Sequence, residues 1–538
     1  MNAMFRKIAS IAAIGFAIPA ANVAAHDDAT EGKGELGKVS LANSCDAKVQ
    51  PQLQRGIAML HSFWYNAGED TFRDVLAHDP GCAIANWGIA SLLMSNPLGG
   101  QGTIGKDLPR ALSAIDEARK VGAQARTSQR ERDYIEAVAA YYRDFDTRPE
   151  RARQDTRSKA YQALAAKYPD DDEAQIFNAL YLAGTQSQAD QTYAAYRSAS
   201  EVLEKQFIKH PDHPGVAHYL IHSYDAPPIA SKGLPAARRY AGIAPDAPHA
   251  LHMPSHIFTR VGAWEDSVTT NRRSAEVAKK DLDGDGAFHA ADYMVYAQLQ
   301  LGRDREARSV IDEFKSVGNT NPAILAWPYA AAAMPARMAL ERGQWDVAAQ
   351  LPVLTTRFPF ADAITVFART LGAARSQQVA AAEQEAERLA GLHKVLVDAK
   401  NNYWATEVEV QRLAAAAWIA QAKGQADEAL RLMRAAADLE DHSEKHIVTP
   451  GRVVPARELL GEMLLEQQQS AAALAEFERS QLREPNRLRG YAGAARAAEA
   501  AGDSAKARQQ YSRLIELTRG ADSPLPEVAR AKSYVSRM

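Results

Sequence analysis

The chain has 538 residues, 46 % of them hydrophobic and 24 % charged, with 63 Lys and Arg set against 66 Asp and Glu. That composition belongs to a globular chain and excludes one that is mostly disordered. A formal net charge of -3 without a long basic run gives no electrostatic footprint for DNA or RNA, so no nucleic-acid partner is expected.

Residues 1–25 read as an export signal. Arg6 and Lys7 precede the apolar run Ile8 to Ala21, and Val23, Ala24 and Ala25 supply the small residues of a cleavage site. The mature chain is therefore expected to begin at His26 and to be periplasmic or secreted. The run is too short to span a bilayer, and no later stretch reaches about 18 apolar residues, so no transmembrane span is expected. Residues 26–48 are polar enough to form a flexible N-terminal segment, in which the free amine and imidazole of His26 could chelate copper. In an oxidising compartment Cys45 and Cys82, the only cysteines, can pair and pin this segment to the first repeat. The alternative is two unpaired buried thiols.

From residue 49 onward the sequence repeats. Gly56, Phe72 and Pro80 open the pattern, and the segment Ala83 to Ala90 follows. Small residues and turn signals recur at Gly262, Trp264 and Ser267, at Gly302 and Ala307, at Gly343, Trp345 and Ala348, and at Gly424 and Ala429. The fullest copy is Leu460, Gly461, Leu464, Ala473, Phe477 and Pro485, with Ala507 and Tyr511 standing 34 residues after Ala473 and Phe477. Small residues let antiparallel helices approach closely, and Gly and Pro punctuate the turns. Stretches 96–108, 127–154 and 225–233 interrupt the spacing and read as inserted loops or longer helices.

This spacing resembles the tetratricopeptide repeat (TPR) family. Phrases such as Ala217 to His222, His252 to Phe258 and Pro455 to Gly461 are similar to exported bacterial TPR proteins. The resemblance implies an all-α fold, a TPR-type α-solenoid of antiparallel helix pairs over residues 49–538, with a concave groove for a peptide or protein segment or a small ligand. The Lys- and Asn-based clamp by which some members hold a C-terminal carboxylate is not matched, since His fills those positions.

The histidine-rich repeats, about 214–300, carry the strongest chemical signal. His218 and His222 form one H-x3-H pair, and His252 and His256 repeat it 34 residues later. Imidazoles spaced i, i+4 converge from one helix face, and a neighbouring helix can complete a three- or four-nitrogen site suited to zinc or copper. Carried one unit further, anchored on Gly302 and Ala307, the frame places Asp292 and Tyr296 on the same row, and His249 and His289 on a second. Hydrogen bonding of neutral histidines to a bound peptide is the competing reading. Pro254, between two of the histidines, is expected to kink its helix.

Asp281, Asp283 and Asp285 match the opening of a calcium loop, with Asp292 at its twelfth position, although a bidentate Glu belongs there. A solvated acidic turn explains the same residues. His61 reads as a satisfied, partly buried histidine, and His442 and His446 as part of a helix end with an interacting loop. No nucleophile elbow, H-E-x-x-H or phosphate loop is present, and no dinucleotide fingerprint follows a strand.

Three functional readings follow. The chain is an exported scaffold whose groove binds a transition metal and a peptide or small ligand. Alternatively it is a metal-dependent hydrolase or oxidoreductase using the same cluster, with Asp225, Asp292 and Tyr296 as candidate catalytic groups. Alternatively it is a metal-free interaction adaptor.

Overall fold

A computed structural model describes residues 34–100, 102–103 and 105–537. The export-like segment and His26 lie outside the described residues. The described part of the expected flexible segment is packed instead: Leu36 and Leu41 are buried, and the Glu35 and Ser40 amides donate to Asp246 and Glu173. Cys45 and Cys82 are joined, with Cα atoms 4.7 Å apart, tying this strap to the start of the helix Ala83–Leu92.

Among the described residues all regular structure is helical, and consecutive helices pack in antiparallel pairs. The repeat residues explain the pairing. The Phe72 ring fills the space between Gly56 and Gly88, each 16 residues away, and a Cβ at either glycine would overlap it. Phe477 stands in the same relation to Gly461 and Gly493 near the other end of the array. Between the two helices of a pair the chain reverses at residues such as Gly262, whose φ of 70° is the left-handed conformation glycine adopts at least cost. No described helix is long and apolar enough to cross a membrane.

The array does not remain open. Trp264 Nε1 donates to Asn486 O at 2.7 Å, Leu488 N to Gln300 Oε1 at 3.0 Å, and Glu444 N to Gln188 O at 2.9 Å. Arg487, fully buried, binds Glu341 at 2.6 Å and Glu458 at 2.7 Å, joining the C-terminal pairs to the middle of the chain. The segment Ser443–Gly451 threads between the two ends, with Val448 packed against both the N-terminal and the C-terminal core. The inner face of the repeats is thereby covered, and this closure sets the character of the site.

Candidate metal centre

The helix Pro214–Ser223 carries His218 and His222 on one face, i and i+4. The second pair is split by Pro254. The helical hydrogen bonding breaks there into Pro248–His252 and Pro254–Val261, because proline has no amide proton to continue it. His289 comes from the helix Gly284–Gln300.

These histidines do not line an open groove as expected. His218 is 0 % exposed, and His222, His252 and His256 are each 2 % exposed, enclosed by Phe63, Tyr240, Tyr293 and the segment Ser443–Gly451. Nor do the four form one group. They divide into two triads, His218–His222–His249 and His252–His256–His289, within each of which one nitrogen from every ring lies within 4.8 Å of the others. The triads adjoin, with His222 and His256 ring centres 5.6 Å apart and His249 and His252 ring centres 6.0 Å apart.

Hydrogen-bond partners fix the tautomers. His218 Nδ1 lies 2.7 Å from the His61 carbonyl, which only accepts, so Nδ1 carries the proton and Nε2 is a bare lone pair. His222 Nε2, 3.1 Å away, can donate to it, which leaves the buried His222 Nδ1 without a partner. In the second triad His256 Nδ1 donates to Asp225 at 2.9 Å. His252 Nδ1 donates to Asn271 Oδ1 at 2.6 Å, the amide being oriented by its own donation to Ser267 O. Both protons are then spent on the outer nitrogens, yet His252 Nε2 and His256 Nε2 face each other at 3.1 Å. Tyr293 supplies no proton, since its hydroxyl donates to Thr449 O at 2.9 Å.

Burial holds the imidazoles below their ordinary range, His218 down to about 3 and the other five in the same direction. Asp225 opposes this at His256, which it hydrogen-bonds, and at His222. All six rings are neutral at pH 7, the form that coordinates metal.

Asp225 is not placed as a free base. It accepts from Arg260 at 2.7 Å, Lys445 at 3.1 Å and His256, and these partners hold its carboxyl far below the usual range against the opposing effect of burial. Its place behind a histidine is that of a carboxylate that orients a ligand. Asp292 and Tyr296 do not join the histidines either. Asp292 pairs with buried Arg337, while the Tyr296 hydroxyl contacts Arg487 and Glu484. The places expected of Asp292 and Tyr296 are taken by His289, the third member of the second triad, and Tyr293 beside it, which stand 37 residues after His252 and His256. An insertion of three residues shifts the 34-residue frame, and a frame anchored on the following turn overshoots by one helical turn.

The calcium reading gives way to helix capping. Asp283 is the N-cap of Gly284–Gln300 and accepts from Gly286 N, Asp285 accepts from Asn321 N, and Asp281 ends the preceding helix. Among the described residues no metal-ligating group includes them. His61 is fully buried and shares Glu173 with His213, each imidazole 3.0 Å from one carboxylate oxygen. His442 and His446 diverge: the first bonds the Asp438 carbonyl at the surface, the second stacks on Trp404. Lys445, Arg260, Asn271 and Tyr293 have no local sequence signal tying them to the histidines, because turns and closures distant in sequence bring them there.

No family model matches the chain, and no curated protein matches it. Among solved structures, the chain is similar to yeast Tom70, with 11 % identity over 91 % of this chain and 96 % of that one and a TM-score of 0.33. It is similar to the APC/C hetero-tetramer Cut9-Hcn1, with 12 % identity, coverage of 91 % and 89 %, and a TM-score of 0.33. The human IFIT1 dimer with m7Gppp-AAAA gives 11 % identity, coverage of 81 % and 90 %, and a TM-score of 0.35. The TPR-like, all-α helix-pair architecture of this chain stands on its own repeats and their packing.

Proposed function

We propose that this chain is an exported helical scaffold that binds a transition metal, zinc or copper, through its buried histidines. The observation that carries this reading is the pair of unprotonated nitrogens, His252 Nε2 and His256 Nε2, facing each other at 3.1 Å. Two lone pairs at that distance repel unless a cation lies between them. Two imidazoles on one tetrahedral zinc, each at about 2.05 Å, hold their nitrogens about 3.3 Å apart. Bound there, the metal would supply a Lewis-acid or redox centre. His252 and His256 are oriented for it by Asn271 and Asp225.

Two further features support the reading. The Cys45–Cys82 bond fits an oxidising compartment and hence export. Beside the centre, across the segment Ser443–Gly451, lies a cleft of about 360 Å³ lined by Trp404, Phe360, Tyr403 and His446 with Glu150, Arg151 and Gln154. Trp404 stacks flat on Phe360 at 3.9 Å, and its wall of the cleft suits a planar apolar group of a peptide or small ligand. Lys445 binds Asp225 and His446 stacks on Trp404, so one short segment touches both places.

Elemental analysis of untagged protein tests the metal. Zinc or copper at one or more equivalents is expected in the wild type and a large loss in His252→Ala/His256→Ala. Negligible metal in both, with helical folding intact, overturns the reading and leaves the interaction adaptor.

A further inference from the structure

We infer that the six histidines hold two neighbouring copper ions rather than one, three imidazoles to each. This rests on the metal reading above and deepens it. A single ion takes about four ligands, and four rings converging on one point would suit it. The rings instead form two separate sets, each with its own three nitrogens within 4.8 Å.

The sets share a plan. In each, two histidines face each other through Nε2 at 3.1 Å; in the first the His61 carbonyl holds His218 from behind, and in the second Asn271 Oδ1 and Asp225 hold both rings. A third ring from a later helix, His249 of Pro248–His252 or His289 of Gly284–Gln300, completes the set. In the first triad the buried His222 Nδ1 and His249 Nε2 have no protein partner, so nitrogen is available beyond what the fold consumes. The contacts His222–His256 and His249–His252 run along both edges of the seam, so ions held in the two sets are neighbours. Two-metal centres place their ions about 3.5–4 Å apart with a shared ligand between them.

Local charge selects the ion. All six ligands are neutral, and the one carboxylate touching them, Asp225, is already matched by Arg260 and Lys445. Glu444, beside Arg260, is matched by Arg260 and Arg483. Two dications would add four uncompensated charges to a buried site, whereas two cuprous ions add two. Neutral imidazole is a good ligand for copper.

The test is anaerobic titration of the metal-free, full-length protein with Cu(I) against a chromogenic competitor. The wild type is expected to take up two equivalents. His249→Gln and His289→Gln, which alter the less buried ring of each triad, are each expected to retain about one. After oxidation to Cu(II), the doubly loaded wild type should show spin coupling, and the single-triad variants an isolated one-spin signal. One equivalent in the wild type, diminished by either variant, overturns the pair while the metal reading survives. No uptake overturns both, as do two equivalents retained by both variants, since the ions would then lie elsewhere. Two uncoupled Cu(II) signals overturn the neighbouring arrangement. Wild-type stoichiometry and coupling need no variant to fold.

Discussion

His252 Nε2 stands 3.1 Å from His256 Nε2 with a hydrogen-bond acceptor behind each ring, Asn271 on one side and Asp225 on the other. The relationship crosses the proline break between two short helices, so the repulsion of the two lone pairs is built into a kinked element. A cation between the rings removes it. Thermal unfolding of metal-free protein is therefore expected to shift upward when zinc or copper is added. At free metal 100-fold above the dissociation constant the gain is about 2.7 kcal/mol. His252→Ala/His256→Ala should show a markedly smaller shift in the same calorimetric scan.

Asp225 ties the centre to the covering segment, since it accepts from His256, Arg260 and Lys445 together. Asp225→Asn leaves buried Lys445 without its ion-pair partner and Arg260 with Glu444 alone, and is expected to cost about 3–5 kcal/mol of stability. The orienting bond to His256 weakens as well, so metal affinity should fall about 10–100-fold. Denaturant unfolding and chelator competition read the two effects separately, and full affinity in this variant would remove Asp225 from the ligand's support.

The helix pairs make their own prediction. A Cβ on Gly493 would collide with the Phe477 ring, which has no free side to retreat to because Gly461 lies against it. Gly493→Ala is expected to destabilise by about 1–3 kcal/mol through overpacking. Adding Phe477→Leu should cost less than the two single changes summed, because the smaller side chain makes room. Urea unfolding of the four proteins checks this.

Much of the architecture was legible in the sequence for that same reason. The 16-residue interval from Gly56 to Phe72 and from Gly461 to Phe477 is a local packing device, and local devices leave a spacing. The histidine pairs were legible as a 34-residue repeat. Their third rung was not, since 37 residues rather than 34 separate the second pair from it, which places His289 and Tyr293 there and not Asp292 and Tyr296. The burial of the site was illegible too. It comes from closure between residues such as Arg487 and Glu341, which no periodicity connects.

Acid should loosen the covering segment. Burial against Trp404 pushes His446 down to about 3, whereas in the unfolded chain it takes a proton near its ordinary value of about 6.5. Between those values the unfolded state binds more protons, so stability falls as pH drops through that window, by up to about 1.4 kcal/mol per pH unit from this group. His446→Phe should show a shallower loss of thermal stability between pH 6.5 and pH 4. An unchanged slope would mean that His446 is not held neutral.

The central claim is that metal sits between the facing imidazoles, and anomalous diffraction from crystals of copper-loaded protein, recorded on both sides of the copper edge, tests it most directly. The account predicts a peak between His252 and His256, close to His289, and a second among His218, His222 and His249. Crystals grown with excess copper that show no anomalous density at either triad would contradict it.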